Sequence, residues 1–304
     1  IIITVLCFCF VCVLVCSCFL LLFYIVHSFP TFIVVLIFFY FIEATALRYL
    51  QAVLLVDLII ILYIFWNLKQ YFKPKLNKIH VKYILNYSIL LIPYMLSAVI
   101  LAQIDRVMIG SMIGEYEAGI YSVGYAFGSA PLVIFAAFSH AWMPKYFSNM
   151  NEGEYSSLDK DVLVVVLATA LGISIYSTYI GYLLSFLLSD SYQLSLQHIP
   201  LISMAMFFAI MWNIWGRGIT FAKKTIWTSI AGIISAMANI YLNSILIPNF
   251  GLDGAVYATY LSYILMAALG YIFAKYVLKI HTTSVLELKN IILGIFLISL
   301  NFYY

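Results

Sequence analysis

Residues Val162–Leu187 read VLVVVLATALGISIYSTYIGYLLSFL, a run with no Asp, Glu, Lys, Arg, His or Pro. The hydrocarbon core of a bilayer needs roughly 20 apolar residues of α-helix to cross it. In lipid a single segment must satisfy its own backbone groups, so this run is predicted as a transmembrane helix. Working outward, comparable runs cover 1–26, 30–46, 48–66, 84–104, 118–141, 199–216, 226–247 and 254–275, with a clipped one from 289. The second and third are separated only by Glu43, Thr45 and Arg48. One long kinked helix is the alternative there. The expectation is an all-α, polytopic transmembrane helical bundle of two lobes with about ten helices present.

Composition agrees. Of 304 residues, 65% are apolar and 9% charged, and mean hydropathy is +1.08. Soluble domains run at about 45–50% apolar and about 25% charged, which excludes a soluble enzyme, a disordered tail and a basic nucleic-acid binder. The net charge of +3 is too small to imply an acidic partner. The chain opens on Ile1 inside one apolar run and ends on Tyr304 inside another, so it reads as truncated within a membrane helix at each end. No signal peptide is visible. All five Cys (Cys7, Cys9, Cys12, Cys16, Cys18) sit in the first apolar run. They read as small packing residues, not as a disulfide framework or a metal cluster.

Lys and Arg give the orientation. The connections 67–83, 142–161, 217–225 and 275–289 hold thirteen of them, and the alternate connections 105–117, 188–198 and 248–253 hold one, Arg106. Basic connections stay cytoplasmic, so the first set lies inside. The first helix then runs from outside to inside, and a cytoplasmic N-terminus would require an odd number of helices upstream. The basic stretch 67–83 is read as a cytoplasmic linker between a partial N-terminal lobe, 1–66, and a C-terminal lobe, 84–280. Residues 281–304 begin a further helix. No connection is long enough for a folded domain.

Helices in lipid pack through small residues. Gly254, Ala258, Ser262, Met266 and Gly270 recur at four-residue spacing, and Gly124 and Gly128 form a second such pair. Thr228, Gly232, Ser235, Asn239 and Asn243 share one helix face. That stripe faces protein or water, either as packing glue or as the wall of a cavity. Pro93 and Pro131 are expected inside helices, where each frees a carbonyl and permits a kink.

An ionisable side chain inside a span is a functional candidate by default. Asp57, within Leu54-Leu55-Val56-Asp57-Leu58-Ile59-Ile60, is a candidate proton carrier or else a structural, hydrogen-bonded acid. Asp105 and Arg106 close the span 84–104 at the outer interface. Arg106, the exception to the orientation rule, is a candidate for gating or for holding an anion, against a plain interfacial ion pair. Arg217 follows Trp212, Asn213 and Trp215 at an inner helix end. There it could meet a phosphate head group or serve as ordinary positive-inside anchoring. Asp57, Asp105, Arg106, Arg217, Asn239 and Asn243 are thus the candidate substrate or ion pathway. The five His show no metal-ligand spacing, and no catalytic set or cofactor motif is present, so no enzyme, metal or cofactor is expected.

One stretch is more specific. It reads Ile92-Pro93-Tyr94-Met95-Leu96-Ser97, then Gln103-Ile104-Asp105-Arg106-Val107-Met108-Ile109-Gly110, then Gly119-Ile120-Tyr121-Ser122-Val123-Gly124-Tyr125, and closes on Ala141-Trp142-Met143-Pro144-Lys145-Tyr146. This resembles the seventh and eighth helices of the polysaccharide (O-antigen) flippases of the multidrug/oligosaccharidyl-lipid/polysaccharide exporter superfamily. Ala238-Asn239-Ile240, Asn243 and Ile247-Pro248-Asn249-Phe250-Gly251-Leu252-Asp253-Gly254-Ala255 resemble that family's connection between its eleventh and twelfth helices. The likeness covers 84–280, while 1–66 match only in hydropathy. It implies a multi-pass protein of the cytoplasmic (inner) membrane that moves undecaprenyl-diphosphate-linked oligosaccharide outward by alternating access, driven by an ion gradient. It also implies a role in O-antigen or other surface polysaccharide biosynthesis. Its partners would be the lipid-linked oligosaccharide, membrane lipids, and a polysaccharide polymerase with chain-length factors. The alternatives are a multidrug exporter of the same superfamily, which would favour a cavity acid such as Asp57, a membrane polysaccharide polymerase or ligase, and a structural subunit of a sugar-assembly complex.

Overall fold

A computed structural model describes residues 34, 46–69 and 78–281. The chain divides into two compact units, Ile1–Asn77 and Lys78–Tyr304. All regular structure among the described residues is helical. The five Cys, the apolar runs 1–26 and from 289, and nearly all of 30–46 lie outside the described residues. Six described stretches are long and apolar enough to cross a membrane, fewer than the ten or so helices expected for the whole chain.

In the first unit, α1 spans Ala46–Leu68. Ala52 and Val56 are buried, while Leu54, Leu55, Leu58 and Ile59 are exposed, as suits a lipid-facing surface. Asp57 is half-buried beside the Val56 face. At the helix end the Lys69 ammonium stands 3.4 Å over the Trp66 ring, an amphipathic pair suited to a membrane interface.

The second unit contains α2 (Lys78–Met112), α3 (Glu115–Gly128), α4 (Ala130–Glu152), α5 (Tyr155–Leu187), a 3-10 helix (Asp190–His198), α6 (Ile199–Phe221), α7 (Ile226–Phe250) and α8 (Leu252–Ile272). A π-helical turn, Phe273–Val277, follows α8. Two connections are much shorter than the sequence suggested. The expected loop 105–117 is mostly helix, because Val107, Met108 and Ile109 continue the apolar period and nothing stops α2 before Ile113-Gly114. The expected loop 142–161 reduces to Gly153-Glu154. Its charged residues remain helical because helices can run past the hydrocarbon into water. Gly153 makes the turn at φ 73°, where a side chain would be strained, and the Glu154 N–H closes onto Asn149 at 2.9 Å.

The run 118–141 is also not one helix. It breaks at Ser129, and Pro131 sits in the first turn of α4, where its missing N–H costs nothing. The carbonyls freed at this break are not left bare. Tyr176 on α5 donates to Phe127 O at 2.7 Å, and Ser203 on α6 donates to Gly128 O at 3.1 Å. Broken helices survive in membranes by this kind of repair. Pro93 does lie inside α2, and in the turn before it the Ser229 hydroxyl of α7 donates to the Leu90 carbonyl.

The core is organised around α6, which is buried along almost its whole length and apolar except on the face of Asn213, Arg217 and Thr220 near its end. Because lipid is as apolar as these side chains, close packing rather than water exclusion must hold them together. The small residues supply it. A Cβ added at Gly128 would stand 2.6 Å from Ile202, and one at Gly270 would stand 2.6 Å from the Trp212 ring. Gly232 likewise faces Ser97 and Tyr94 of α2, at 3.2 Å. Both small-residue motifs are therefore packing surfaces, and the polar stripe of α7 is buried against protein.

Candidate functional site

Asp105 is 1% exposed. It lies seven residues before the end of α2, roughly 10 Å inside the helix terminus at 1.5 Å per residue. It is therefore buried within the bundle and not at the helix end. Three other helices converge on its carboxylate. Tyr121 on α3 donates to Oδ2 at 2.7 Å, Thr259 on α8 donates to Oδ2 at 2.6 Å, and Asn243 on α7 donates to Oδ1 at 2.6 Å. Asn243 also donates to Asn239 Oδ1, one turn away, at 3.2 Å. Tyr121, Thr259, Asn239 and Asn243 are all fully buried.

No Lys, Arg or His lies within salt-bridge distance of Asp105 among the described residues. Removing a carboxylate from water without a cation costs several kcal/mol, and three neutral donors offset only part of that. Asn243 Oδ1 has no hydrogen-bond partner among the described residues, and the Asn239 amide also faces Asp105. The arrangement can hold an acid whose charge is completed by a proton or by a small cation. It joins α2, α3, α7 and α8 at one point, so a change in that charge acts on four helices together.

Arg106 does not pair with its neighbour. Its guanidinium turns the other way, donating to Ala102 O at 2.6 Å and Gln103 Oε1 at 2.5 Å, and it lies 4.7 Å over the Tyr125 ring. Arg217 is separate again. It is 8% exposed, bonds to the Ser139 hydroxyl, and stands 5.1 Å over the Trp142 ring. It lines a cavity of about 450 Å³ among α2, α4, α6 and α7, together with Tyr94, Ser139, His140, Asn213 and Thr228. Asp57 belongs to the first unit.

Of the six residues singled out in the sequence, Asp105, Asn239 and Asn243 thus form one cluster, while Arg106 and Arg217 make other contacts within the second unit. Sequence reasoning missed Tyr121, Thr259 and Ser139. Tyr121 lies within the Gly119–Tyr125 motif, and Thr259 follows a member of the α8 small-residue stripe, but neither carries a charge to mark it. Among the described residues no group of three His, Cys, Asp or Glu could hold a metal ion.

Apolar helices that span, shared small-residue packing and a buried carboxylate between them define a multi-pass membrane protein. Residues 19–151 match the family of polysaccharide biosynthesis proteins, the polysaccharide flippase family that the sequence resembles. The match takes in the motif from Ile92 to Tyr146 and extends to 19–66, where the sequence offered only hydropathy. The Ala238–Ala255 motif lies beyond the matched residues. No curated protein and no solved structure matches the chain.

Proposed function

We propose that the chain is a flippase that carries undecaprenyl-diphosphate-linked oligosaccharide repeat units across the cytoplasmic (inner) membrane, for O-antigen, lipopolysaccharide or another surface polysaccharide. The family match over 19–151 supports a role in polysaccharide biosynthesis. The observation that carries a transport reading is Asp105, a buried acid with no cationic partner among the described residues, held by groups from three further helices. Intramembrane acids of this kind mark ion pathways. A proton or alkali cation arriving at Asp105 changes the charge that α2, α3, α7 and α8 share. That is the element an ion gradient needs in order to drive alternating access. The cargo fits the physics of the bilayer, since its sugars and diphosphate cannot cross hydrocarbon while its polyprenyl tail stays in lipid.

The test is to delete the gene in its host and find the face on which lipid-linked oligosaccharide accumulates, using an impermeant sugar-modifying enzyme. Cytoplasmic accumulation reversed by the restored gene is the expected result. Normal outward sugar with altered drug resistance would point to a multidrug exporter. Outward accumulation of single unpolymerised repeat units would point to a polymerase. Either outcome overturns the flippase reading.

A further inference from the structure

The cavity at Arg217 is a second polar site, and the Asp105 cluster does not use it. Four features define it. The cation is buried at 8% exposure, and its Nη1 has no hydrogen-bond partner among the described residues. Its only hydrogen-bonded neighbour among the described residues, Ser139, is neutral. Among the described residues no carboxylate lines the cavity. The cavity volume of about 450 Å³ falls within the range of small-ligand sites, roughly 300–1,000 Å³.

A buried guanidinium is normally paired, because leaving it alone is costly. Among the described residues the pairing group is missing, while the room for it is present. The walls also suit an oxyanion. The Ser139 hydroxyl accepts from Arg217 and keeps its own proton, Tyr94 accepts from the Trp212 indole N–H at 3.1 Å and keeps its own, and Asn213 keeps one amide N–H beside the one it donates to Ala209 O, while Thr220 and Thr228 donate to the Gly216 and Thr225 carbonyls. The guanidinium is braced over Trp142, so its fork is already oriented and loses little freedom when it binds. Lys223 and Lys224 lie exposed just past the end of α6, six or seven residues or roughly 10 Å along the chain direction from Arg217. They add positive potential at the cytoplasmic end, which raises the local concentration of anions.

We infer that Arg217 and the cavity it lines form a binding site for a phosphate-type anion, taken as the diphosphate of the lipid-linked cargo. This assignment of cargo rests on the flippase reading, whereas the anion site stands on the geometry alone. Arginine suits the role, since its planar fork meets phosphate oxygens in pairs.

The experiment uses the purified full chain in detergent and inorganic diphosphate as the probe. Binding is read by quenching of tryptophan fluorescence, with Trp142 beside the guanidinium and Trp212 in the cavity wall. Saturable binding is expected, weakened about ten- to a hundred-fold in Arg217→Gln, the worth of one charge-assisted hydrogen bond. Lys160→Ala, which removes an exposed cation outside the cavity lining, should bind diphosphate as the unmodified chain does. No saturable response, or an Arg217→Gln protein that binds equally well, overturns the site. Should Arg217→Gln not fold, modification of Arg217 by phenylglyoxal in the unmodified chain tests the same site. Protection by diphosphate supports the site, and its absence overturns it. Competition separates the sources of the anion. Displacement by nanodiscs carrying polyprenyl diphosphate, but not by nanodiscs carrying phosphatidylglycerol, supports the cargo assignment. Equal displacement by both overturns the cargo assignment and leaves a general anionic-headgroup site. Because binding is read without transport, failure of translocation with intact anion binding counts against the flippase reading alone.

Discussion

Asn243 donates to Asp105 across 2.6 Å, tying α7 to α2 in the buried centre of the second unit. Both residues are essentially inaccessible, and both were candidates from the sequence for different reasons: one is an acid at the end of an apolar run, the other a member of a polar helix stripe. Their contact makes a single site of two separate signals.

Neutralising Asp105 and trimming its partners should have separable effects. Asp105→Asn keeps the shape and removes the charge, so the folded protein should persist while ion-driven transport falls to background. Tyr121→Phe and Thr259→Val each delete one donor and should lower stability by about 0.5–2 kcal/mol, the usual worth of such bonds in membranes. Thermal unfolding followed by size-exclusion chromatography reads stability, and a transport assay reads coupling. If Asp105→Asn transported normally, the carboxylate would be structural.

Asp57→Asn should reduce ion-coupled transport without altering membrane insertion, if the half-buried acid on α1 shares in proton or ion movement. Transport with and without an imposed ion gradient checks this. An unchanged ratio of the two rates removes Asp57 from the pathway.

The break at Ser129 should depend on hydroxyls from its neighbours. Tyr176→Phe strips the donor to Phe127 O, and Ser203→Ala strips the donor to Gly128 O. Each should cost about 1 kcal/mol, and the double change roughly their sum if the two act independently. Melting temperature in detergent measures both.

Small-residue packing sets a harder limit. Gly128→Val and Gly270→Val place side-chain atoms into Ile202 and Trp212, and overpacking of this kind costs about 1–3 kcal/mol or more. Both should reduce the yield of monodisperse protein. By contrast Lys145→Ala, which removes a 2.7 Å pair between an exposed lysine and the half-buried Asp161, should cost about 1 kcal/mol.

Much of this architecture was written in the hydropathy pattern, because a membrane helix must be apolar over its whole crossing. The ends of the helices were not. Charged residues such as Lys145 and Glu152 look like loop to a hydropathy reading, yet they continue α4 beyond the lipid. For the same reason Asp105 seemed to mark a helix end, although apolar residues carry α2 a further two turns. The site was half visible. An acid and two amides stand out in apolar sequence, whereas Tyr121 and Thr259 look like ordinary residues until the helices bring their hydroxyls to Asp105. The centrality of α6 was hidden too, since a stretch as apolar as Ile199–Met211 reads the same whether lipid or protein surrounds it.

Whether Asp105 couples an ion gradient to movement of the cargo is open to reconstitution. The protein would be placed in proteoliposomes with a fluorescent lipid-linked oligosaccharide, an ion gradient would be imposed, and movement of the probe between leaflets would be followed for the unmodified chain and for Asp105→Asn. Gradient-accelerated movement that Asp105→Asn abolishes, in a variant that remains folded, is the expected result. Equal movement by both proteins, or movement indifferent to every imposed gradient, would contradict a coupling role for the buried carboxylate.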